Sequence, residues 1–258
     1  MLFRRVVFSA LLVGVVSGML LSAVQLWQQI PIIIHAELFE QAESSSGHHT
    51  GPVGHSYANN PATPDAGHEP AAAEWAPADG TERTAYTLLA NVLTSIGFAL
   101  LMLVAQLAFS RRRAGTWSDW RQGLLWGVAG YATFFIAPTL GLPPEIPGAA
   151  AAPLEARQIW WFLTVACTGV GLACAAFGKG AWRWAALGLL VVPHLLGAPH
   201  LVGGPFDSHP PVDAAALAEL AEQFVWASVL ANAVYWLALG SVSLWTVQRF
   251  LKPVAVAE

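Results

Sequence analysis

The side chains best suited to chemistry in this sequence are imidazoles and carboxylates, and they lie in a few short stretches. The eight histidines are His35, His48, His49, His55, His68, His194, His200 and His209. All of them fall between long apolar segments or near the ends of those segments. Together with neighbouring Asp and Glu, imidazoles are suitable ligands for borderline divalent metals such as Co, Ni or Zn. The pattern therefore predicts a surface that attracts divalent cations.

The densest group of histidines occupies a loop over about residues 43–80 that is rich in Ser, Gly, Pro and Ala. Its members are His48, His49, His55 and His68. A flexible tract presents imidazole nitrogens to a metal at a small ordering cost, but it cannot impose a coordination geometry. We expect a segment that captures or buffers cations, and an unselective polar linker is the alternative.

A second candidate is the segment PHLLGAPH at residues 193–200, which contains His194 and His200. Imidazole at membrane depth is costly unless it faces a polar cavity or a partner, so these residues are candidate ligands. Gly197 and Pro199 predict a broken helix end that can turn the rings inward and expose backbone carbonyls. Two interfacial histidines in water are the alternative.

A third candidate is the segment GLPPEIPG at residues 141–148. Its three prolines hold a short loop in an extended conformation, so Glu145 has few conformations to lose on binding. A carboxylate held in this way is suited to guard the mouth of an ion pathway. A solvated turn is the alternative.

Motifs for several enzyme classes are missing from the sequence. It contains neither the nucleotide-binding pattern GxxxxGK[ST] nor the zinc-protease pattern HExxH. An Asp-rich motif, expected of a membrane enzyme that acts on isoprenoid substrates, is missing as well. We therefore predict that the protein is not an enzyme, and nothing in the sequence indicates binding to nucleic acid.

The elements that must position these side chains are long apolar segments. Of the 258 residues, 55% are hydrophobic and 11% are charged, whereas about 25% are charged in a typical soluble domain. A helix of about 20 apolar residues crosses a hydrocarbon core of roughly 30 Å. We predict an all-α polytopic membrane protein, a single membrane domain with six transmembrane helices, the fifth broken near Pro193 and Pro199. The predicted spans are about 6–30, 86–109, 123–142, 159–178, 182–201 and 225–247. Five spans, with the fifth segment dipping in and out, are the alternative.

The basic residues predict the orientation, because Lys and Arg near helix ends are retained in the cytoplasm. Ten of the twelve would then lie inside: Arg4, Arg5, Arg111, Arg112, Arg113, Arg121, Lys179, Arg183, Arg249 and Lys252. Both termini are therefore predicted to be cytoplasmic. Fourteen of the sixteen acidic residues and all eight histidines fall on the outer side. The two outer arginines, Arg83 and Arg157, are suited to orient carboxylates at the mouth, although we expect structural ion pairs.

Several segments in combination resemble a known family. They are residues 25–37 (QLWQQIPIIIHAE), 75–83 (WAPADGTER), 88–93 (LLANVL), 141–148 (GLPPEIPG) and 193–199 (PHLLGAP). Together they are similar to the family of probable cobalt transporter subunits called CbtA. The resemblance implies a bacterial inner-membrane protein that imports cobalt for cobalamin synthesis, with a small one-span partner, CbtB. The positions carried over by this similarity are Glu37, Trp75, Asp79, Glu82, Arg83, Glu145, Arg157 and His194.

These observations combine into one expected mechanism, in which Co²⁺ is the cargo and no cofactor is permanently bound. The outer loop raises the local cation concentration, and a mouth formed by His35, Glu37, Glu145 and His194 partly dehydrates the ion. Nickel or zinc is the alternative cargo, since affinity order alone ranks nickel above cobalt. A metal-sensing or scaffold subunit that transports nothing is the alternative function.

Overall fold

The computed structural model describes residues 2–46, 77–78, 80–112 and 120–251. In these ranges the chain is helical, with connecting turns and no strands, which confirms the predicted all-helical class. The helices are α1 (Leu2–Ser46), α2 (Thr81–Arg112), α3 (Trp120–Tyr131), α4 (Leu154–Phe177), α5 (Trp182–Leu196) and α6 (Pro211–Thr246). A π-helical turn, Ala132–Ile136, and a short α-helical segment, Ala137–Thr139, prolong α3, and a π-helical turn, Val247–Leu251, prolongs α6.

Among the described helices, four are long and apolar enough to cross a membrane by length and composition. They are Leu2–Ala42, Thr81–Ser110, Leu154–Phe177 and Pro211–Leu251. The other two are shorter, because α3 has 12 residues before its π-helical turn and α5 has 15. A 15-residue helix rises only about 22 Å, less than the hydrocarbon core of roughly 30 Å.

Two glycines allow α1 and α2 to approach closely. Gly14 packs against Ile96, and Gly18 packs against the backbone of Val92. A Cβ atom on Gly18 would lie 2.7 Å from the Cα atom of Val92, so no other residue fits without moving α2. Small residues four apart are typical of contacts between membrane helices, where close packing replaces the hydrophobic effect as the source of attraction.

The contact between α3 and α6 follows the same principle with glycines on both helices. Gly123 and Gly127 of α3 face α6, and Gly240 of α6 faces α3. A Cβ atom on Gly240 would lie 2.7 Å from the Cα atom of Gly127. This contact places Trp236 beside Phe134, and the two rings stack with centroids 5.2 Å apart.

The helix α1 lies between α2 and α6, and together these three helices bury the main apolar core. Val13, Leu103 and Leu239 are each fully buried there. The pair formed by α4 and α5 packs beside this group and contacts the rest through the end of α3. The bundle therefore has a tight three-helix centre with α3 and the α4–α5 pair around it.

The π-helical turn in the third helix lies directly before Pro138. Within it, the amide of Ala137 donates to the carbonyl of Ala132, five residues earlier, instead of the usual four. Proline has no amide hydrogen, and its ring clashes with the carbonyl four residues before it in a regular helix. The wider turn removes that clash and lets the chain continue to Thr139 without ending the helix.

The fifth helix passes through Pro193 and ends at Leu196. Gly197 has φ of 81°, a conformation that favours glycine, and it stops the helix there. The end thus falls between the two prolines near which a break was predicted, and Pro193 itself lies inside the helix. Residues 197–210 continue as turns and irregular chain.

The two ends of the bundle differ in composition. At one end, which we call the cap, a small apolar cluster joins the end of α1 to the segments 140–153 and 197–210 and to the start of α6. Its buried members are Ala36, Ile146, Phe206 and Leu217. At the opposite end, Arg5 of α1 donates to the carbonyl of Phe250, 3.5 Å away. The predicted mouth residues belong to the cap end.

Candidate functional site

The first ion pair at the cap joins α1 to α2. Nη1 of Arg83 donates to Oε2 of Glu37 at 2.9 Å, and Nη2 contacts Oε1, so both carboxylate oxygens are engaged. Glu37 lies beyond the end of the first predicted span at about residue 30. The hydrogen bond from Arg83 lowers the pKa of Glu37 below its usual value, against the opposing effect of partial burial. Glu37 is therefore a paired anion and not a free one.

The second ion pair joins the 141–148 segment to the first turns of α4. Nη1 of Arg157 lies 2.5 Å from Oε2 of Glu145, and both side chains remain partly exposed. The pair lies at the edge of an open groove of about 440 Å³. The groove is otherwise lined mainly by apolar and aromatic side chains, which are Leu142, Pro143, Pro144, Leu154, Trp161 and Phe162.

Both arginines form ion pairs with carboxylates of other segments. Residues one or two apart on a helix point in different directions, so Arg83 cannot face Glu82 across the helix surface. Glu82 instead accepts a hydrogen bond from the amide of Ala78 before the start of α2. The carboxylates of Glu37 and Glu145 reach the two arginines because the bundle brings their segments together.

His194 lies in the last turn of α5, half-buried against Trp160 of α4. The two ring centroids are 5.9 Å apart in an edge-to-face arrangement. Nε1 of Trp160 donates to the carbonyl of Pro193 at 3.1 Å. That carbonyl, which a broken helix would have exposed as a ligand, therefore already accepts one hydrogen bond, and the same contact positions the backbone beside His194.

The other predicted ligands lie apart from His194. His35 is exposed on α1, and His200 is exposed in the segment after α5. His48, His49, His55 and His68 lie outside the described residues. Within the described ranges, no three His, Cys, Asp or Glu side chains are grouped closely enough to hold a metal ion. The four predicted mouth residues therefore do not form a single cluster in this conformation, and their role as ligands stays a prediction.

One juxtaposition of side chains at the cap has no signal in the sequence. A Cβ atom built on Gly148 would lie 3.6 Å from both Cγ of Glu40 and Nε2 of His209. A carboxylate of α1 and an imidazole of the 197–210 segment thus meet at the same glycine. These residues are far apart in the chain, and neither stands in a motif, so only the fold associates them.

Apolar helices of membrane-spanning length, packed through glycines and bearing ion pairs at one end, define a multi-pass helical membrane protein. The chain belongs to the family described as probable cobalt transporter subunit (CbtA), whose model matches residues 3–248. The predicted resemblance is thereby confirmed over nearly the whole chain. No curated protein and no solved structure matches it. The family is one of transporter subunits, so the protein works as part of a cobalt transport system.

Proposed function

We propose that the protein carries Co²⁺ inward across the bacterial inner membrane, where cobalt is needed for cobalamin synthesis. The observation that carries this proposal is the family match over residues 3–248. The distribution of charge along the bundle supports the inward direction. Glu37, Glu145 and His194 belong to the cap, and we assign the cap to the outer side.

The same distribution supports six crossings with both termini in the cytoplasm. Arg5 lies at the end opposite the cap. Arg121 lies in the first turn of α3, close to the point where Gly123 contacts Ser241 of α6. Phe109 and Phe177, with ring centroids 5.2 Å apart, bring the ends of α2 and α4 together. Retention of basic residues in the cytoplasm then orients every helix.

Each of the two short helices is continued by further chain toward the cap. The third helix is prolonged through its π-helical turn to Thr139. The chain after Leu196 continues toward the cap cluster, which contains Phe206. Most residues from 195 to 205 are exposed, so we place this irregular chain at the outer surface and not at membrane depth.

The ion pairs at the cap define how a cation would engage the mouth. An exposed ion pair contributes only about 0–1 kcal/mol, so a divalent cation can displace a guanidinium group at little cost. In this proposal, Arg83 and Arg157 hold the carboxylates of Glu37 and Glu145 in position until a cation binds to them. His194, fixed by the contact between Trp160 and Pro193, adds an imidazole of the type that cobalt prefers.

In this proposal, the membrane potential supplies the energy, and a partner subunit supplies further metal ligands. The membrane potential contributes about 2.3 kcal/mol per charge per 100 mV, and therefore roughly twice that for a divalent cation. A small one-span partner with its own histidines, similar to CbtB, completes the transporter. Membership of a family of subunits supports the need for such a partner.

Uptake of radioactive cobalt tests the proposal in cells that express the chain with and without its one-span partner. We expect saturable uptake that His194→Ala and Glu145→Gln each reduce about tenfold or more, as the loss of a metal ligand requires. Glu155→Gln is the matched control, because Glu155 is exposed at the start of α4 near the Glu145–Arg157 pair. Nickel and zinc as competitors define the selectivity.

The result that would overturn the proposal is an inserted, folded protein that gives no uptake in any combination. The protein would then be a sensing or scaffold subunit that carries no ion itself. Uptake that survives both substitutions would instead remove His194 and Glu145 from the pathway.

A further inference from the structure

Four polar side chains are buried where α1, α2 and α6 meet, and each has an oxygen atom without a hydrogen-bond partner among the described residues. These atoms are Oγ of Ser17, Oγ of Ser95, the hydroxyl of Tyr235 and Oε1 of Gln106. Each of the four residues is at most 3% exposed. A buried oxygen left without a partner costs about 1–3 kcal/mol in a protein interior.

Three of these side chains lie at similar heights in the bundle. The contact of Gly14 with Ile96 and of Gly18 with Val92 aligns α1 and α2, so Ser17 and Ser95 lie only about 3 Å apart along the bundle axis. The Ser95 hydroxyl faces the Tyr235 hydroxyl without forming a hydrogen bond of normal geometry. Hydroxyl groups from three helices thus lie at similar heights in the bundle.

Polar groups continue from this level toward the cap. Asn91 of α2 donates to Oγ of Ser22 at 2.9 Å and to Oε1 of Gln25 at 2.6 Å, and both acceptors belong to α1. One turn further along α1, Gln29 donates to Oγ of Ser228 in α6 at 3.0 Å. From Gln29 to Ser17, α1 rises about 18 Å.

Polar groups also continue toward the opposite end. Gln106 donates through Nε2 to the carbonyl of Gly240 at 3.3 Å, while its Oε1 atom has no partner among the described residues. From Ser95 to Gln106, α2 rises about 16 Å. Added to the 18 Å on α1, the polar levels cover the hydrocarbon thickness of roughly 30 Å.

Hydrogen bonding between helices explains only some of these buried polar side chains. Polar side chains hold membrane helices together by making hydrogen bonds across the interface. Asn91 and Gln29 do so. Within the described residues, Ser17, Ser95 and Tyr235 make no hydrogen bond of normal geometry across the interface, although the Ser95 and Tyr235 hydroxyls face each other. Those hydroxyl groups are therefore better suited to solvate something polar that passes between the helices.

We propose that the junction of α1, α2 and α6 is the route along which a partly hydrated divalent cation crosses the membrane. The inference rests on the transport function proposed above. Neutral hydroxyl and amide oxygens replace waters of the hydration shell but bind a divalent ion weakly, and weak successive sites favour passage over retention. Val13, Leu103 and Leu239 close the junction in the described conformation, so passage requires α1 to move away from its neighbours.

Cysteine labelling tests the route without relying on uptake. In a background with Cys167→Ala and Cys174→Ala, Ser17→Cys and Ser95→Cys are each treated with a small cationic methanethiosulfonate reagent. The matched control is Thr164→Cys, because Thr164 is fully buried in α4 and its hydroxyl is bonded within its own helix. We expect the cysteines at 17 and 95 to react at least about tenfold faster than the control, with Co²⁺ slowing both, because only a hydrated route admits the charged reagent.

Uptake measurements give the second readout. Ser17→Ala, Ser95→Ala and Tyr235→Phe each remove one hydroxyl, and we expect each to lower the initial rate of cobalt uptake about tenfold. Thr164→Val should leave the rate unchanged. Transport by the parent protein, with cysteines at 17 and 95 no more reactive than the control, would overturn the route and leave the proposed function standing. Fast, cobalt-sensitive labelling without any uptake would support the hydrated route and overturn the proposed function.

Discussion

Arg83 and Arg157 each reduce the negative charge of the cap by pairing with one carboxylate. Each is a basic residue on the side of the molecule where acids predominate, and each neutralises one carboxylate that the sequence had suggested as a ligand. The sequence is sufficient to predict that these arginines form ion pairs, because acidic residues predominate on their side of the molecule. The choice of Glu37 and Glu145 as partners does not, because it depends on the packing of segments that are distant in sequence.

The pair formed by Glu145 and Arg157 leads to a prediction for Arg157→Gln. Removing the guanidinium group leaves Glu145 free, so the apparent KM for cobalt in uptake should fall several-fold. Because the pair is partly exposed, the free energy of unfolding should change by no more than about 1 kcal/mol. Uptake kinetics and chemical unfolding in detergent provide the two measurements.

The control for this change is Arg157→Lys, which keeps the charge and should keep KM close to that of the parent protein. An unchanged KM in Arg157→Gln would mean that Glu145 takes no part in binding the cation. A large loss of stability would instead make the pair a structural support of the 141–148 segment.

At the scale of helices, the sequence predicts which segments are apolar helices but not which faces of those helices are in contact. The hydropathy of each segment is sufficient to predict helices, since backbone groups in lipid must be satisfied within the segment. The glycine contacts were missed, although Gly14 with Gly18 and Gly123 with Gly127 both have the spacing of a helix-packing motif. The partner face cannot be predicted from one sequence because it depends on the rotation of each helix.

The contact between α3 and α6 leads to a prediction for Gly127→Ala. Its new Cβ atom would lie 2.6 Å from the carbonyl oxygen of Trp236 and 2.9 Å from the Cα atom of Leu237, so α3 must move away from α6. We expect the free energy of unfolding to fall by about 1–3 kcal/mol, the usual effect of overpacking. Chemical unfolding in detergent, followed by tryptophan fluorescence, measures the change.

Gly97→Ala is the matched control, because a Cβ atom on Gly97 meets no atom within 4 Å. Its effect should stay within about 1 kcal/mol and favour the folded state, since alanine is the better helix former. Equal stabilities for the two variants would contradict the close packing of α3 on α6.

At the scale of the whole molecule, the two ends have different functions in our proposal, with the cap facing outward. The sequence predicted the membrane class and the family, because both depend on features that can be read along the chain. It could not predict how the metal would be held. His194 and Glu145 come from different segments, and their distance from Glu37 is set only by the assembled bundle.

The proposed orientation predicts which residues an impermeant thiol reagent reaches in intact cells. In the background with Cys167→Ala and Cys174→Ala, Ser208→Cys at the cap should react before permeabilisation. Lys179→Cys, between α4 and α5, should react only afterwards. Both positions are exposed, so access to the reagent depends on the side of the membrane. Labelling of both positions in intact cells would contradict the six-span arrangement.

Because of the π-helical turn at Ala132–Ile136, the third helix should tolerate the deletion of a residue at some positions but not at others. A π turn contains about one residue more than an α turn, so deleting a residue there restores a regular helix and keeps both flanks facing their present neighbours, although the clash of Pro138 with the preceding turn then returns. A deletion between Gly123 and Gly127 would instead rotate one part of α3 against the other by about 100°. Relatives of this protein can therefore differ in length by one residue just before Pro138 and still keep the glycine contact with α6.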